Sequence, residues 1–449
     1  MFHAFSDLAK GIAEMATTQD VKIRAFQREL YMLSKQDADY RFYSLYDKVY
    51  RHDILLEAYR QCRANDGVAG VDGVEFADIE RKGLDLWVAQ LSQLLSSRSY
   101  VPQPVMRVYI EKPDGGQRPL GIPTIRDRVV QTACKIVIEP IFEAHLNDGS
   151  YGYRPKRGAA DAVRQIDRSI KQGYIHVYDA DLKGYFDSIP QNRLMDKMAR
   201  RISDKSMLAL IRKFLRAPVA ETNGDGKTTI TKVTKGTPQG GVASPLFANI
   251  YLNDFSELIN TKTPCRMISY ADDFVILFKK PFTEVQLAWI KNKLEMEGLM
   301  LNEAKTRLVN MSRQGSEFDF LGFNFKKVPC IWRKEHSYVK IQPSKKSQKK
   351  FKDAIREIVK HRTSKRLPQL IAEVNPIIRG WKNYFAQSGY PQKVFFVMDW
   401  FVIGRFYRWA KRLSQRSSKC LIPGTWKILW KKGLEFFVTP SAGTVKGTL

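Results

Sequence analysis

Apolar and polar positions along this chain follow two periods, one of three to four residues and one of two. Over residues 1–65 the longer period dominates, as in IRAFQRELYMLSKQ (23–36) and HDILLEAYRQCRA (52–64), and predicts helices with one apolar face. NDGVAGVDGVEF (65–76) is dense in Gly and Asp and predicts a loop before helical spacing returns over 77–98. VMRVYIEKPDGGQRPLGIP (105–123) reads as strand, Gly-containing turn, strand. Residues 126–147 and 158–171 have helical spacing, and YIHVYDADL (174–182) predicts a strand. Two helices follow, QNRLMDKMARRI (191–202) and MLALIRKFLRA (207–217). KGTPQGG (235–241) is a loop entering the helix SPLFANIYLNDFSELI (244–259). CRMISYADDFVILFKK (265–280) predicts two short apolar strands around an acidic tip. A helix over 284–297, a strand pair through FDFLGFNF (318–325) and long basic helices beyond Lys326 complete the pattern. Helices mixed with short strands make this an α+β chain.

Length and charge narrow the function. A chain of 449 residues suggests two to four domains. Lys and Arg total 74 against 46 Asp and Glu, a formal net charge of +28, which is excessive for an ordinary metabolic enzyme and points to nucleic acid. The excess is concentrated. Residues 326–449 hold 28 Lys and Arg against 6 Asp and Glu, so a near-neutral body leads into a strongly basic segment. Cys62, Cys134, Cys265, Cys330 and Cys420 lie too far apart in sequence for a zinc or redox motif, which predicts a reducing compartment without disulfides. No stretch approaches the roughly 20 apolar residues that span a bilayer, and the N-terminus lacks a secretory pattern, so the expected location is the cytoplasm with no membrane partner.

Three carboxylates carry the candidate chemistry. Asp181 ends an apolar strand in VYDADLKGYFD, and Asp272 and Asp273 sit at the tip of the strand pair. Carboxylates gathered at strand ends repel one another unless a cation lies between them, and hard oxygen ligands favour Mg²⁺. Two Mg²⁺ in such a set activate an attacking 3′-hydroxyl and stabilise departing pyrophosphate. An isolated Asp-Asp pair is ordinarily a polar turn; the surrounding blocks decide otherwise here.

The ordered set GYRP (152–155), DADLKGYFD (179–187), GTPQGG (236–241), YADD (270–273), NEAKT (302–306) and FLGF (320–323) resembles the reverse transcriptases. With NDGVAGVDG (65–73), PLGIP (119–123) and IIRGWKNYF (377–385), it resembles more closely the group II intron reverse transcriptase/maturases of bacteria. The resemblance runs from about residue 45 to 440. It implies a right-hand polymerase whose palm has an antiparallel sheet, followed by an all-helical thumb/maturase domain. The implied division is an N-terminal helical extension (1–60), fingers (61–173), a palm (174–325) with fingers helices interleaved at about 190–235, and a basic thumb/maturase domain (326–449).

The same resemblance implies roles for single residues. Asp181, Asp272 and Asp273 are the expected catalytic and metal-binding set for two Mg²⁺, with Asp179 structural. Phe186 is expected under the incoming sugar, where its ring excludes a 2′-hydroxyl. Lys112 and Arg118 are expected at the triphosphate, Gln239 at the nucleotide or template, and Lys305 near the pyrophosphate. Arg154 and Arg379 are expected nucleic-acid contacts, and the one-sided charge of 343–366, read from the residues themselves, makes Lys345, Lys346, Lys349 and Lys350 expected phosphate contacts as well. The aromatics Trp381, Tyr384, Phe385, Trp400, Phe401, Phe406, Tyr407 and Trp409 fall at helical spacing and are expected in the thumb core. Implied partners are an RNA template, a DNA or RNA primer, dNTPs and intron RNA. Many members of the family add a zinc-dependent endonuclease with paired cysteines. No CxxC pair occurs here, so the expectation is a member without that activity. Two rivals remain open at this stage: a free-standing relative acting in antiviral defence or DNA repair, and a splicing cofactor without polymerase activity.

Overall fold

The structure is a computed structural model and describes residues 20–111, 116–223, 225–330, 336–360, 365–413 and 425–438. The chain begins with helix α1 (20–36), α2 (Tyr46–Val49), α3 (His52–Ala64), α4 (Phe76–Lys82) and α5 (Leu84–Ser96). Strands β1 (Val105–Glu111) and β2 (Gln117–Ile122) precede α6 (Ile125–Glu143) and α7 (Ala159–Lys171). Next come β3 (His176–Asp181), α8 (Tyr185–Ser188), α9 (Gln191–Ala199), α10 (Lys205–Leu215), β4 (Val219–Thr222) and β5 (Thr228–Thr231). Helix α11 (Ser244–Lys262), β6 (Arg266–Tyr270), β7 (Asp273–Phe278) and α12 (Glu284–Met296) follow. The C-terminal part holds β8 (Arg307–Asn310), β9 (Glu317–Phe320), β10 (Phe323–Pro329), β11 (Ser337–Pro343), α13 (Lys345–Ile358), α14 (Leu367–Phe385), α15 (Gln392–Leu413) and α16 (Thr425–Lys431).

The chain is α+β, as its periodicity predicts. Contacts divide it into two compact units. The first comprises residues 1–157, 180–274 and 283–304; the second comprises 158–179, 275–282 and 305–449. In the first unit α6 and α11 are buried along most of their length, so they form its core rather than its surface. The Thr124 hydroxyl caps α6, and buried Asp127 in its first turn accepts from the Tyr100 hydroxyl (2.8 Å) and the Gln103 amide (2.9 Å). Four strands of this unit form a sheet of order β2-β1-β4-β5, antiparallel except where β1 runs parallel to β4.

A second four-stranded sheet has the order β6-β7-β3-β8, with β3 antiparallel to β8. Its inner strands read as apolar runs because both faces are covered: Phe274, Val275, Ile276 and Leu277 of β7 are fully buried. Opposite Asp179 in the register stands Arg307, and its Nε donates to Asp179 Oδ2 at 2.8 Å, which makes Asp179 a structural partner.

In the second unit β11, β10 and β9 form an antiparallel sheet beside α13, α14 and α15. β11 corrects the expectation of unbroken helices beyond Lys326. Its core-facing Ile341 and Pro343 alternate with polar residues, and the lysines between them obscure a period of two. The aromatic expectation holds in part. Trp381, Phe385, Phe351, Phe395 and Phe437 make one ring cluster, and Phe406 and Trp409 are buried. Trp400 and Tyr384 stand exposed, so these two are not core.

The buried Asp399 accepts from the Phe437 amide (2.9 Å) and the Val438 amide (3.0 Å), and burial pushes its carboxyl up to about 6. The folded chain therefore holds this proton to higher pH than the unfolded chain. Stability contributed by the group is expected to fall as pH rises from about 4 to about 6, by on the order of 3 kcal/mol, and to stay level above that. Urea unfolding across this range checks it, because Asp399→Asn removes that part of the slope.

Candidate active site

Sheet order brings the first pieces together. β7 and β3 are hydrogen-bonded neighbours, so the strand that starts at Asp273 borders the strand that ends at Asp181. Asp181 is held from the far side by Asn302. The Asn302 amide donates to the Asp181 carbonyl at 2.8 Å, and its Nδ2 donates to Asp181 Oδ2 at 3.2 Å. The Leu182–Leu301 bridge and the Lys183 amide on the Met300 carbonyl (2.8 Å) extend that seam. Sequence reasoning used only Lys305 of NEAKT; Asn302, in the same block, is the residue that touches the acid.

The acidic tip is an uncommon turn. Ala271 adopts φ +58°, a left-handed conformation that is costly for a residue with a Cβ. The GYRP block is built against it. Tyr151 donates its amide to the Ser269 carbonyl (2.9 Å), and the Ser269 amide donates to the Gly149 carbonyl (2.8 Å). A Cβ on Gly152 would stand 2.5 Å from the Ala271 amide nitrogen, so only glycine permits this approach. Asn249 Nδ2 donates to the Gly152 carbonyl at 2.8 Å and ties the block to the buried helix α11. Tyr153 and Tyr185 line the same region. Burial pushes both phenols up, and the charge of Asp272 adds to it.

Arg154 corrects the expectation of a nucleic-acid contact. Its side chain is 2% exposed and paired with Glu143 at 2.7 Å. Its remaining donors reach the carbonyls of Asn147, Ser150 and Leu146. All five N–H groups of the guanidinium are thereby engaged inside the protein.

A chain of polar contacts lies beside Phe186. Gln239 Nε2 donates to Asp187 Oδ2 at 2.8 Å, and Arg118 Nε donates to Gln239 Oε1 at 3.4 Å. Burial lifts the Asp187 carboxyl, and Arg107, Gln239 and Arg118 oppose the rise. Gly236 packs on Phe186 and Asp187 with φ +83°, and the Thr237 amide donates to the Phe186 carbonyl at 2.8 Å. Phe186 itself is 8% exposed, its ring 5.7 Å from that of Tyr185. Arg107 Nε and Thr237 Oγ1 are buried with no hydrogen-bond partner in the protein. Asp187 and Arg107 were not among the expected site residues. Asp187 closes the DADLKGYFD block, which was a usable signal; Arg107 lies in a strand that reads as ordinary.

Lys112 lies outside the described residues. Lys305 is exposed and belongs to the second unit. In that unit Lys345, Lys346, Lys349 and Lys350 are exposed in the first turns of α13, which Ser344 caps. Arg379 is exposed and paired with Glu435. Among the described residues no group of three or more His, Cys, Asp or Glu side chains could by itself hold a metal ion. The donor set still suits Mg²⁺, which takes one or two carboxylates and fills its octahedron with water and substrate phosphates instead of an all-protein cage. No helix among the described residues is long and apolar enough to cross a membrane.

Comparison with known proteins places this arrangement. The reverse transcriptase (RNA-dependent DNA polymerase) family matches residues 110–325, and the group II intron maturase-specific domain matches residues 348–432. Protein YkfC of Escherichia coli K12 is 31% identical over 342 residues, covering 67% of this chain and 87% of YkfC. The chain belongs to the group II intron reverse transcriptase/maturases. This reverse transcriptase/maturase is also 37% identical to the group II intron-encoded protein LtrA of Lactococcus lactis over 227 residues, 50% of this chain and 37% of LtrA. A protein from the cob intron of Schizosaccharomyces pombe is 34% identical over 213 residues, 47% of this chain and 25% of that one. The matches thus span less than half the length of the latter two relatives. Family membership makes the chain an RNA-directed DNA polymerase with a maturase domain.

Proposed function

We propose that this reverse transcriptase/maturase copies RNA by two-metal nucleotidyl transfer in the cytoplasm and also binds its intron RNA to assist splicing and mobility. The observation that carries the reading is the adjacency of β3 and β7, which sets Asp181 and the Asp272–Asp273 tip on neighbouring strands. Residues 61–173 are read as fingers, 174–325 as palm and 326–449 as thumb and maturase domain.

Asp181, Asp272 and Asp273 would hold two Mg²⁺. When bound, Mg²⁺ would supply charge that lowers the pKa of the primer 3′-hydroxyl and offsets the charge of the leaving pyrophosphate. The 3′-oxygen attacks the α-phosphorus, the bond to the β-phosphate oxygen breaks, pyrophosphate leaves, and the hydroxyl proton passes to solvent. Ala271 and Gly152 fix the turn, and Asn302 fixes Asp181, so the carboxylates are oriented before substrate arrives. Arg118 and Arg107 draw the triphosphate, and Gln239, anchored on Asp187, sets the position of the nucleotide.

Phe186 closes the sugar pocket. Phe186→Val is expected to raise the ratio of rNTP to dNTP use by about tenfold to a hundredfold, because a pocket wall of this size discriminates by roughly 1–3 kcal/mol. Single-nucleotide incorporation kinetics check it, and an unchanged ratio would assign the ring to packing alone.

The four lysines of α13 oppose the helix dipole, an arrangement that favours an external polyanion over fold stability. Replacing Lys345, Lys346, Lys349 and Lys350 with Gln is expected to flatten the slope of log K against log [salt] for RNA by about 3, at roughly 0.7–0.9 per phosphate contact. Filter binding across salt concentrations reads this directly.

Primer extension on an RNA template with dNTPs and Mg²⁺ tests the proposal as a whole. Extension is the expected result; no incorporation by folded protein, where another reverse transcriptase works, contradicts it.

A further inference from the structure

The second unit holds a cavity of about 790 Å³ away from every residue given a role above. It lies between the C-terminal turn of α7, the outer part of the β10–β11 hairpin and the start of α15. Four ammonium groups share its wall: Lys171, Lys327, Lys340 and Lys393. Among the described residues the only acid in the lining is Asp167, and it is already paired with Lys171 at 2.6 Å. Three cations therefore face the space without an acidic neighbour among the described lining residues.

Lys340 is half-buried on β11, and Lys326, opposite it in the register, is already paired with Glu317 at 3.0 Å. Burial holds its ammonium below the usual lysine range, and the charge of Lys393 pushes it further down. Like charges brought together, here Lys340 and Lys393, are destabilising unless a counter-charge arrives.

Two rings stand among these lysines. Tyr338 is 41% exposed and Tyr390 is 61% exposed, both lining the cavity. Tyr390 is held on stiff backbone. Its amide donates to the Ile341 carbonyl at 2.9 Å, and the preceding Gly389 has φ +79°. A Cβ at Gly389 would lie 2.4 Å from the Ile341 carbonyl oxygen, so only glycine lets the turn press onto β11. An exposed ring on a fixed backbone, flanked by cations, is the construction of a base-stacking platform.

We propose that this cavity docks single-stranded RNA, an unpaired base stacking on Tyr390 or Tyr338 with flanking phosphates against Lys327, Lys340 and Lys393. A duplex keeps its bases stacked inside and offers none to a cavity, whereas an unpaired segment does. An acidic peptide would satisfy the lysines but leave the rings without a planar partner. Tyr390 and Lys393 fall within the maturase-specific match, and the choice of RNA as occupant rests on the intron-RNA reading proposed above.

The test uses the full chain and a fluorescent oligo(U) of about twelve nucleotides. K340Q/K393Q is expected to weaken binding about tenfold and flatten the salt slope by about 1.4, at roughly 0.7 per contact on single strands. Tyr390→Ala is expected to weaken it about tenfold as well, and Tyr390→Phe, which keeps the ring, to bind like wild type. Crosslinking with 4-thiouridine RNA is expected to mark the peptide containing Tyr338 or Tyr390. Extension of a pre-annealed primer–template is expected to stay within about twofold of wild type in all three variants, so a failed polymerase reading shows separately. Unchanged oligo(U) affinity and slope in both K340Q/K393Q and Tyr390→Ala overturns the proposal. So does crosslinking confined to other peptides, or a poly-glutamate peptide competing as well as unlabelled oligo(U).

Discussion

Asp272→Asn is expected to lower primer extension by at least about a thousandfold while leaving intron splicing within about twofold of wild type. The substitution keeps side-chain volume and the turn at Ala271, so the fold is preserved and only the charge is lost. A metal that stabilises transition-state charge by several kcal/mol sets the size of the effect, since each 1.4 kcal/mol is a factor of ten. On the proposed reading splicing depends on the basic segments, whose charge is untouched. Single-turnover extension and a self-splicing precursor assayed with one protein preparation give both readouts. Joint loss in a folded variant would contradict a separable grip and chemistry. Retained extension would remove Asp272 from the metal site.

Arg154→Ala is expected to destabilise the first unit by about 3–5 kcal/mol, because it strands Glu143 and removes the guanidinium donors from the carbonyls of Leu146, Asn147 and Ser150, of which Asn147's keeps the Ser150 amide. Arg154→Lys is not expected to restore stability, since three donors on a flexible stem cannot replace five on a planar fork. Urea unfolding of the three proteins measures this. The sequence reading of Arg154 as a nucleic-acid contact makes the opposite forecast: a stable variant with weaker RNA binding.

That contrast shows what was legible in the sequence. Strand-terminal carboxylates and the acidic tip were readable because apolar runs of four to six residues end on Asp, which packing does not explain. The β1–β2 hairpin and the buried helix α11 were readable from period alone. Burial was not: Arg154 and Lys345 are equally basic on paper, yet one is enclosed and the other exposed; the partners that enclose Arg154 lie only 4–11 residues upstream, at the end of α6 and in the non-periodic turn after it, which carries no burial signal. The β4–β5 pair escaped because Thr228–Thr231 is exposed and lacks an apolar period. Asn302 escaped because its role depends on a seam with Leu182, about 120 residues away.

The most direct test of the central claim is a crystal of the protein with primer–template and a non-hydrolysable dNTP, grown in Mn²⁺. Two anomalous peaks about 3.5–4 Å apart are expected, each touching the nucleotide phosphates or primer terminus and a carboxylate from Asp181, Asp272 or Asp273. Peaks held by other residues, or Asp181 turned away from the ions that the Asp272–Asp273 tip binds, would contradict the account.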